Sequence, residues 1–269
     1  MIAHSSLFHR ARGAVLAALA VSMAAALPAG AVPLIPGNLY VSNFGNSTIE
    51  TFTPGGAASV FASTGVSSPV GVAFDASGNF YVANGIRTIE NFTPGGVGSV
   101  FASAGLSTPF GLAFDASGNL YVANNGNSTI EKFTPGGVGS VFASTGLAGP
   151  EALAFDASGN LYAANYNNNT IEWFTPGGVG SVFASTGLNG PDGLAFDGNG
   201  NLYAANDRNN TIERFTPGGV GSVFASTGLA GPAFLAFNNV AATVPEPASL
   251  TLFAAGLLGL GVVRRRRTA

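Results

Sequence analysis

Residues Gly118–Ser158 read GNLYVANNGNSTIEKFTPGGVGSVFASTGLAGPEALAFDAS, and this stretch decides the fold. Four short apolar runs stand in it: Asn119–Asn124, Thr129–Phe133, Gly139–Ala143 and Ala152–Phe155. The second is rich in β-branched and aromatic residues, and none has a helical period, so each is predicted as a strand. Turn residues bound them: TPGG, a G-x-x-G-P stretch and DASGN. TPGG places proline where a type II turn wants its fixed φ and a glycine where it needs positive φ, so a type II turn is predicted.

The same unit recurs along the chain. Its Gly-Asn pair falls at Gly37, Gly78, Gly118, Gly159 and Gly200, with spacings of 41, 40, 41 and 41 residues. Four short strands in about forty residues make one blade of a β-propeller. The apolar runs are continuous (LAF, LYVA), as suits blades covered on both faces by their neighbours. The array opens with three strands, near Leu39, Ile49 and Val60, and ends with an unpartnered AFN run at Phe234–Asn238. Adding that last strand to the first three makes a composite closing blade. The fold class is therefore all-β, a five-bladed propeller whose closure removes the free edges.

The repeat resembles the NHL repeat, matched here by GLAFDASGNLYVANNGNSTIEKF from Gly111 to Phe133. The likeness spans Asn38 to Asn238. NHL propellers more often have six blades, so the count of five comes from the repeats of this chain.

The two ends read as addresses. His4, His9, Arg10 and Arg12 precede an apolar stretch from Ala14 to Leu27 and an A-x-A pattern at Ala29–Ala31, which is the layout of a secretory signal peptide over residues 1–31. The propeller then spans 32–240 and a linker 241–247. The linker contains Pro245, Glu246 and Pro247. An apolar helix over 248–263 follows, then a basic tail over 264–269 with Arg264, Arg265, Arg266 and Arg267. Sixteen helical residues reach ~24 Å against a ~30 Å hydrocarbon core. The arginines are expected to stay cytoplasmic, with the propeller outside the inner membrane. This tripeptide–helix–arginine order resembles the PEP-CTERM sorting signal. The resemblance implies a Gram-negative host, an exosortase-type processing enzyme as partner, transient membrane anchoring, and a destination at the cell surface or in the exopolysaccharide matrix.

Between Val32 and Val240 twelve acids face four bases, a net charge of −8. Such a surface repels phosphate backbones, so nucleic-acid binding is not expected. The absence of cysteine excludes thiol nucleophiles and zinc–thiolate sites.

Topology divides the connections between two faces. DASGN and TPGG share one face and repeat almost unchanged. The opposite face carries the segments before TIE (FGNS from Phe44, GIR from Gly85, NGNS from Asn125, YNNN from Tyr166, DRNN from Asp207) and the residues after the inner-strand proline: Val70, Phe110, Glu151, Asp192 and Ala233. Variation confined to one face of a copied array marks a binding surface or neutral drift in exposed turns. The candidate ligand-binding residues are Phe110, Glu151, Asp192, Tyr166 and Asp207.

Catalytic signatures are sparse. Streptogramin lyases rely on histidine, and the only histidines here are His4 and His9. The gluconolactonase and regucalcin family places a metal-binding glutamate before an inner strand, where this chain has Ser67, Ser107, Ala148, Asn189 and Ala230. Glu151 and Asp192 are expected near the channel mouth, where paired carboxylates bind a cation or act as acid and base, although exposed acids are ordinarily just solvated. Glu50, Glu90, Glu131, Glu172 and Glu213 recur in every blade and read as architectural. The expectation is a noncatalytic surface or matrix propeller that binds glycan or protein and uses no cofactor or metal. A lactonase-like hydrolase is the alternative.

Overall fold

The computed structural model describes residues 32–85 and 87–237. The segments read as signal peptide, linker, apolar helix and basic tail lie outside the described residues. Among the described residues nineteen strands form five antiparallel sheets. The first sheet holds β1 (Leu39–Asn43), β2 (Thr48–Phe52) and β3 (Ala58–Ala62). The second holds β4 (Pro69–Phe74), β5 (Phe80–Asn84), β6 (Thr88–Phe92) and β7 (Gly98–Ala102). The third holds β8 (Pro109–Phe114), β9 (Leu120–Asn124), β10 (Thr129–Phe133) and β11 (Gly139–Ala143). The fourth holds β12 (Pro150–Phe155), β13 (Leu161–Asn165), β14 (Thr170–Phe174) and β15 (Gly180–Ala184). The fifth holds β16 (Pro191–Phe196), β17 (Leu202–Asn206), β18 (Thr211–Phe215) and β19 (Gly221–Ala225). The chain is a five-bladed propeller.

The core lies between blades. Phe80 on the second strand of its blade, and Phe133, Phe174 and Phe215 on the third strands of theirs, are fully buried. Each such ring contributes about 1.5–3 kcal/mol of burial. A tyrosine of one blade meets a phenylalanine of the next inner strand edge-on: Tyr121 with Phe155 at 5.0 Å and Tyr162 with Phe196 at 5.0 Å. Buried asparagines lock the same seams. Asn124 donates Nδ2–H to the Gly105 carbonyl at 2.8 Å and to Thr129 Oγ1 at 3.1 Å, while its Oδ1 accepts from the Ser107 amide at 3.1 Å. Asn84, Asn165 and Asn206 repeat the arrangement.

The turns differ from expectation. In TPGG the positive φ falls on the second glycine, Gly137 at +80° in the third blade, and its amide bonds the Thr134 carbonyl at 2.9 Å. This is a type I turn closed by a left-handed glycine, the three-residue hairpin loop, rather than type II. The geometry matches the right-handed twist of the flanking strands, and DASGN adopts it too, with Gly118 at +78° and its amide on the Asp115 carbonyl at 3.0 Å.

The closing seam is looser than a composite blade requires. Residues 232–237 carry no assigned strand, and the first sheet has three strands among the described residues. The segment still occupies the inner position. A side chain on Gly193 would strike the Ala233 carbonyl, as one on Gly111 would strike the Glu151 carbonyl, and Phe237 meets Tyr203 at 4.8 Å. Phe234 breaks the pattern of the inner strands here. It stands where the other inner strands have Gly71, Gly111, Ala152 and Gly193, a column in which the adjacent strand's carbonyl leaves little room for a side chain. Accordingly Leu39 is 62% exposed, whereas its counterparts Phe80, Leu120, Leu161 and Leu202 are at most 1% exposed.

Candidate functional site

Every inner strand starts at a proline, so the next side chain stands at one mouth of the central channel. The residue before each proline is left-handed, from Ser68 at +45° and Thr108 at +48° to Gly149 at +58° and Gly190 at +61°. The variable loops between second and third strands are tied to these entries by backbone bonds: Asn125 amide to Thr108 carbonyl at 3.1 Å, Tyr166 to Gly149 at 3.1 Å, and Asp207 to Gly190 at 3.0 Å. The two sets of blade-specific residues therefore form one surface. Opposite, DASGN and TPGG lie against each other, with a Cβ on Gly118 falling 3.7 Å from Pro135 Cγ.

Glu151 and Asp192, from neighbouring inner strands, come within hydrogen-bonding reach of each other. Glu151 is only 9% exposed, and Asn125 Nδ2 donates to its Oε1 at 3.0 Å. Burial foremost, then the Asp192 charge and hydrogen bond and the Asp207 charge, push the Glu151 carboxyl up to about 8, against a lowering by Arg208. Burial raises Asp192 as well, opposed by its hydrogen bond to Glu151. Both carboxyls are thus displaced toward their protonated forms. Beside them Tyr166 donates its hydroxyl hydrogen to Asp207 Oδ2 at 3.0 Å, and the Arg208 guanidinium stacks 4.1 Å from the Tyr166 ring centre. The bond to Asp207 is the main reason the Tyr166 phenol is raised.

A cavity of about 280 Å³ opens at the same mouth, lined by Asp192 with Phe44, Phe110, Phe234 and Val70. Below it lies the central channel, about 510 Å³, lined by apolar residues including Val72, Leu112, Leu153, Leu194 and Leu235. Val70 and Phe234 line both. Among the described residues no cluster of three or more His, Cys, Asp or Glu side chains is arranged to hold a metal.

All five residues singled out in the sequence stand on this face. Glu151 lies beside Asp192, Tyr166 is bonded to Asp207, and Phe110 shares a cavity with Asp192. The expectation that the acids are simply solvated fails for Glu151, because the neighbouring inner strand and the Asn125 loop bury it. Asn125, Arg208, Phe44 and Phe234 were not singled out. Asn125 and Phe44 head loops already noted as variable, and Phe234 breaks a column of glycine and alanine, so a signal for each was present. The recurring Glu90, Glu131, Glu172 and Glu213 are buried between blades, each facing a left-handed glycine of the preceding blade, and burial raises all four carboxyls.

The model of the PEP-CTERM protein-sorting motif matches residues 243–267. The chain carries a PEP-CTERM sorting signal. That signal marks the propeller for export and membrane-associated processing by an exosortase-type enzyme. A strictosidine synthase-like N-terminal model matches residues 141–166 alone. No curated protein matches the chain in sequence. Among solved structures, virginiamycin B lyase from Staphylococcus aureus superposes with a TM-score of 0.65 at 17% identity, over 76% of this chain and 72% of the lyase. A gluconolactonase from Xanthomonas campestris gives 0.64 at 19% identity, over 74% and 75%. At these identities the likeness establishes the shared propeller fold.

Proposed function

We propose that this PEP-CTERM propeller is a noncatalytic binding module of the cell surface or extracellular matrix, with its ligand site on the blade-specific mouth. The observation that carries the reading is convergence. Phe110, Glu151, Tyr166, Asp192 and Asp207 come from three blades and differ from their counterparts in the other blades; Phe110 and Asp192 line one cavity, Glu151 lies beside Asp192, and Tyr166 bonds Asp207. Aromatic rings on a rigid scaffold supply contact area at little entropic cost, and the carboxyl pair, Asn125 and Arg208 supply oriented hydrogen bonds. A hydroxyl-rich glycan or a protein loop fits that mixture. A histidine-to-alanine variant of virginiamycin B lyase is catalytically inactive. The only histidines of this chain are His4 and His9, in the segment read as a signal peptide. The test is calorimetry of the 32–240 domain against matrix polysaccharides, with Tyr166→Ala and Glu151→Gln beside controls in the TPGG turns. Equal losses from both faces would move the site off the mouth.

The second reading, a lactonase-like hydrolase, is favoured by the closeness of Glu151 and Asp192, two raised carboxyls of the kind that serve as acid and base. Turnover of a lactone or glycoside panel, abolished by Glu151→Gln and Asp192→Asn, would establish it over the binding reading.

A further inference from the structure

Four phenylalanines depart from the repeat; Phe80 replaces a buried core leucine, and the other three each stand at a different position of the unit. Phe44 stands where the other blades have Gly85, Asn125, Tyr166 and Asp207. Phe110 stands where they have Val70, Glu151, Asp192 and Ala233, and Phe234 where they have Gly71, Gly111, Ala152 and Gly193. They come from the first loop, the third blade and the closing segment, far apart in sequence. The fold nevertheless sets all three around the one cavity of about 280 Å³ that Asp192 also lines.

These rings are not core. Phe44 is 63% and Phe234 55% exposed, and Phe110 is half-buried. The core phenylalanines of the repeat pack edge-on against other rings, as Phe142 does on Tyr121 at 4.9 Å. These three make no such aromatic pair among the described residues and line the cavity instead. Exposed rings with a carboxylate at their side suit one chemistry well. A methylated ammonium is large, weakly hydrated and cationic, and it gains from several ring faces at once. Asp192, with Asp207 behind it, adds charge complementarity.

We propose that Phe44, Phe110, Phe234 and Asp192 form an aromatic cage for a quaternary ammonium group, and that the ligand is a small choline-type cation. The proposal rests on the blade-specific mouth being a binding face and names a ligand class for it. A ligand that carries its own carboxylate close to the ammonium, such as glycine betaine, meets the acids at the mouth and is disfavoured.

The test is calorimetric titration of the 32–240 domain with choline, with its tert-butyl analogue in which carbon replaces nitrogen, and with glycine betaine. Choline is expected to bind one per domain, at least tenfold tighter than either comparison compound. Phe44→Ala and Phe110→Val should each weaken it by roughly twofold to thirtyfold, the range of a partly desolvated cation–π contact. Asp192→Asn should weaken it by about tenfold or more. Phe44 is exposed, and valine at position 110 restores the residue of the second blade, so both variants should fold. Should Asp192→Asn not fold, the comparison of choline with its uncharged analogue still tests the charge requirement. Equal binding of choline and that analogue would show an apolar pocket and overturn the cage. Undiminished binding by Phe44→Ala, or no choline binding at millimolar concentration, would overturn it as well. Failure of choline with success of a polysaccharide would discard the cage and leave the binding face standing. Failure of polysaccharides with success of choline would do the reverse for the glycan reading.

Discussion

Asn125, on a loop of the third blade, donates its Nδ2 hydrogen to Glu151 Oε1 of the fourth blade at 3.0 Å. A buried acid is thereby held by one fixed donor with a second acid, Asp192, beside it. The titration of Glu151 follows from that placement. Its carboxyl is raised from an ordinary 4.5 to about 8. The folded state therefore prefers the protonated form. The stability this acid contributes is complete below 4.5 and is lost as pH rises through about 8. The melting temperature of the domain should fall between about pH 5 and pH 9, and Glu151→Gln should flatten part of that fall. Asp192, also raised, adds to the same trend. Superimposable pH profiles for the two proteins would contradict the burial and pairing of Glu151.

The asparagine locks predict unequal seams. Asn124 bonds across its seam to Gly105 and Ser107, whereas Asn43, its counterpart at the closing seam, has a side-chain bond to Thr48 of its own hairpin at 3.2 Å. Asn124→Ala should cost about 2–4 kcal/mol, since it removes several bonds and strands buried backbone groups. Asn43→Ala should cost less than about 1 kcal/mol. Leu120→Ala and Leu39→Ala should show the same contrast, about 2–5 kcal/mol for the buried residue and a small change for the exposed one. Urea denaturation measures all four, and equal costs within either pair would mean a fully closed ring.

Turn geometry is open to a paired substitution. Gly137 sits at φ +80° with the Phe101 carbonyl 3.0 Å from where its Cβ would be, while a Cβ on Gly136 meets nothing nearer than Thr134 Oγ1 at 3.9 Å. Gly137→Ala should destabilise the domain by about 1–2 kcal/mol through the left-handed backbone. Gly136→Ala should be close to neutral. A larger loss at Gly136 would restore the type II assignment.

Export offers a test in cells. Changing Glu246 to alanine, or deleting Arg264–Arg267, should alter retention and processing in the native host, because both lie within the matched sorting motif. Mass spectrometry and fractionation of the mature protein check it. Unchanged mass and location in both variants would count against recognition of the tail by an exosortase.

The sequence by itself determined the propeller, because the fold is written as local information repeated. Each strand of the unit Gly118–Ser158 is marked by its apolar run and bounded by its turn, and the copies fix the number of blades. The variable face was legible for the same reason, since any residue that differs among the copies shows against the repeat. Tertiary structure alone decided what those differences do together. Glu151 and Asp192 are 41 positions apart, and only the approach of two inner strands buries one and couples it to the other. Phe44, Phe110 and Phe234 gather because the ring curves the first and last parts of the chain into one mouth. The loose seam was hidden likewise. A residue in the glycine column matters only through the carbonyl of the neighbouring strand, and that distance exists only once the blades are packed around the axis.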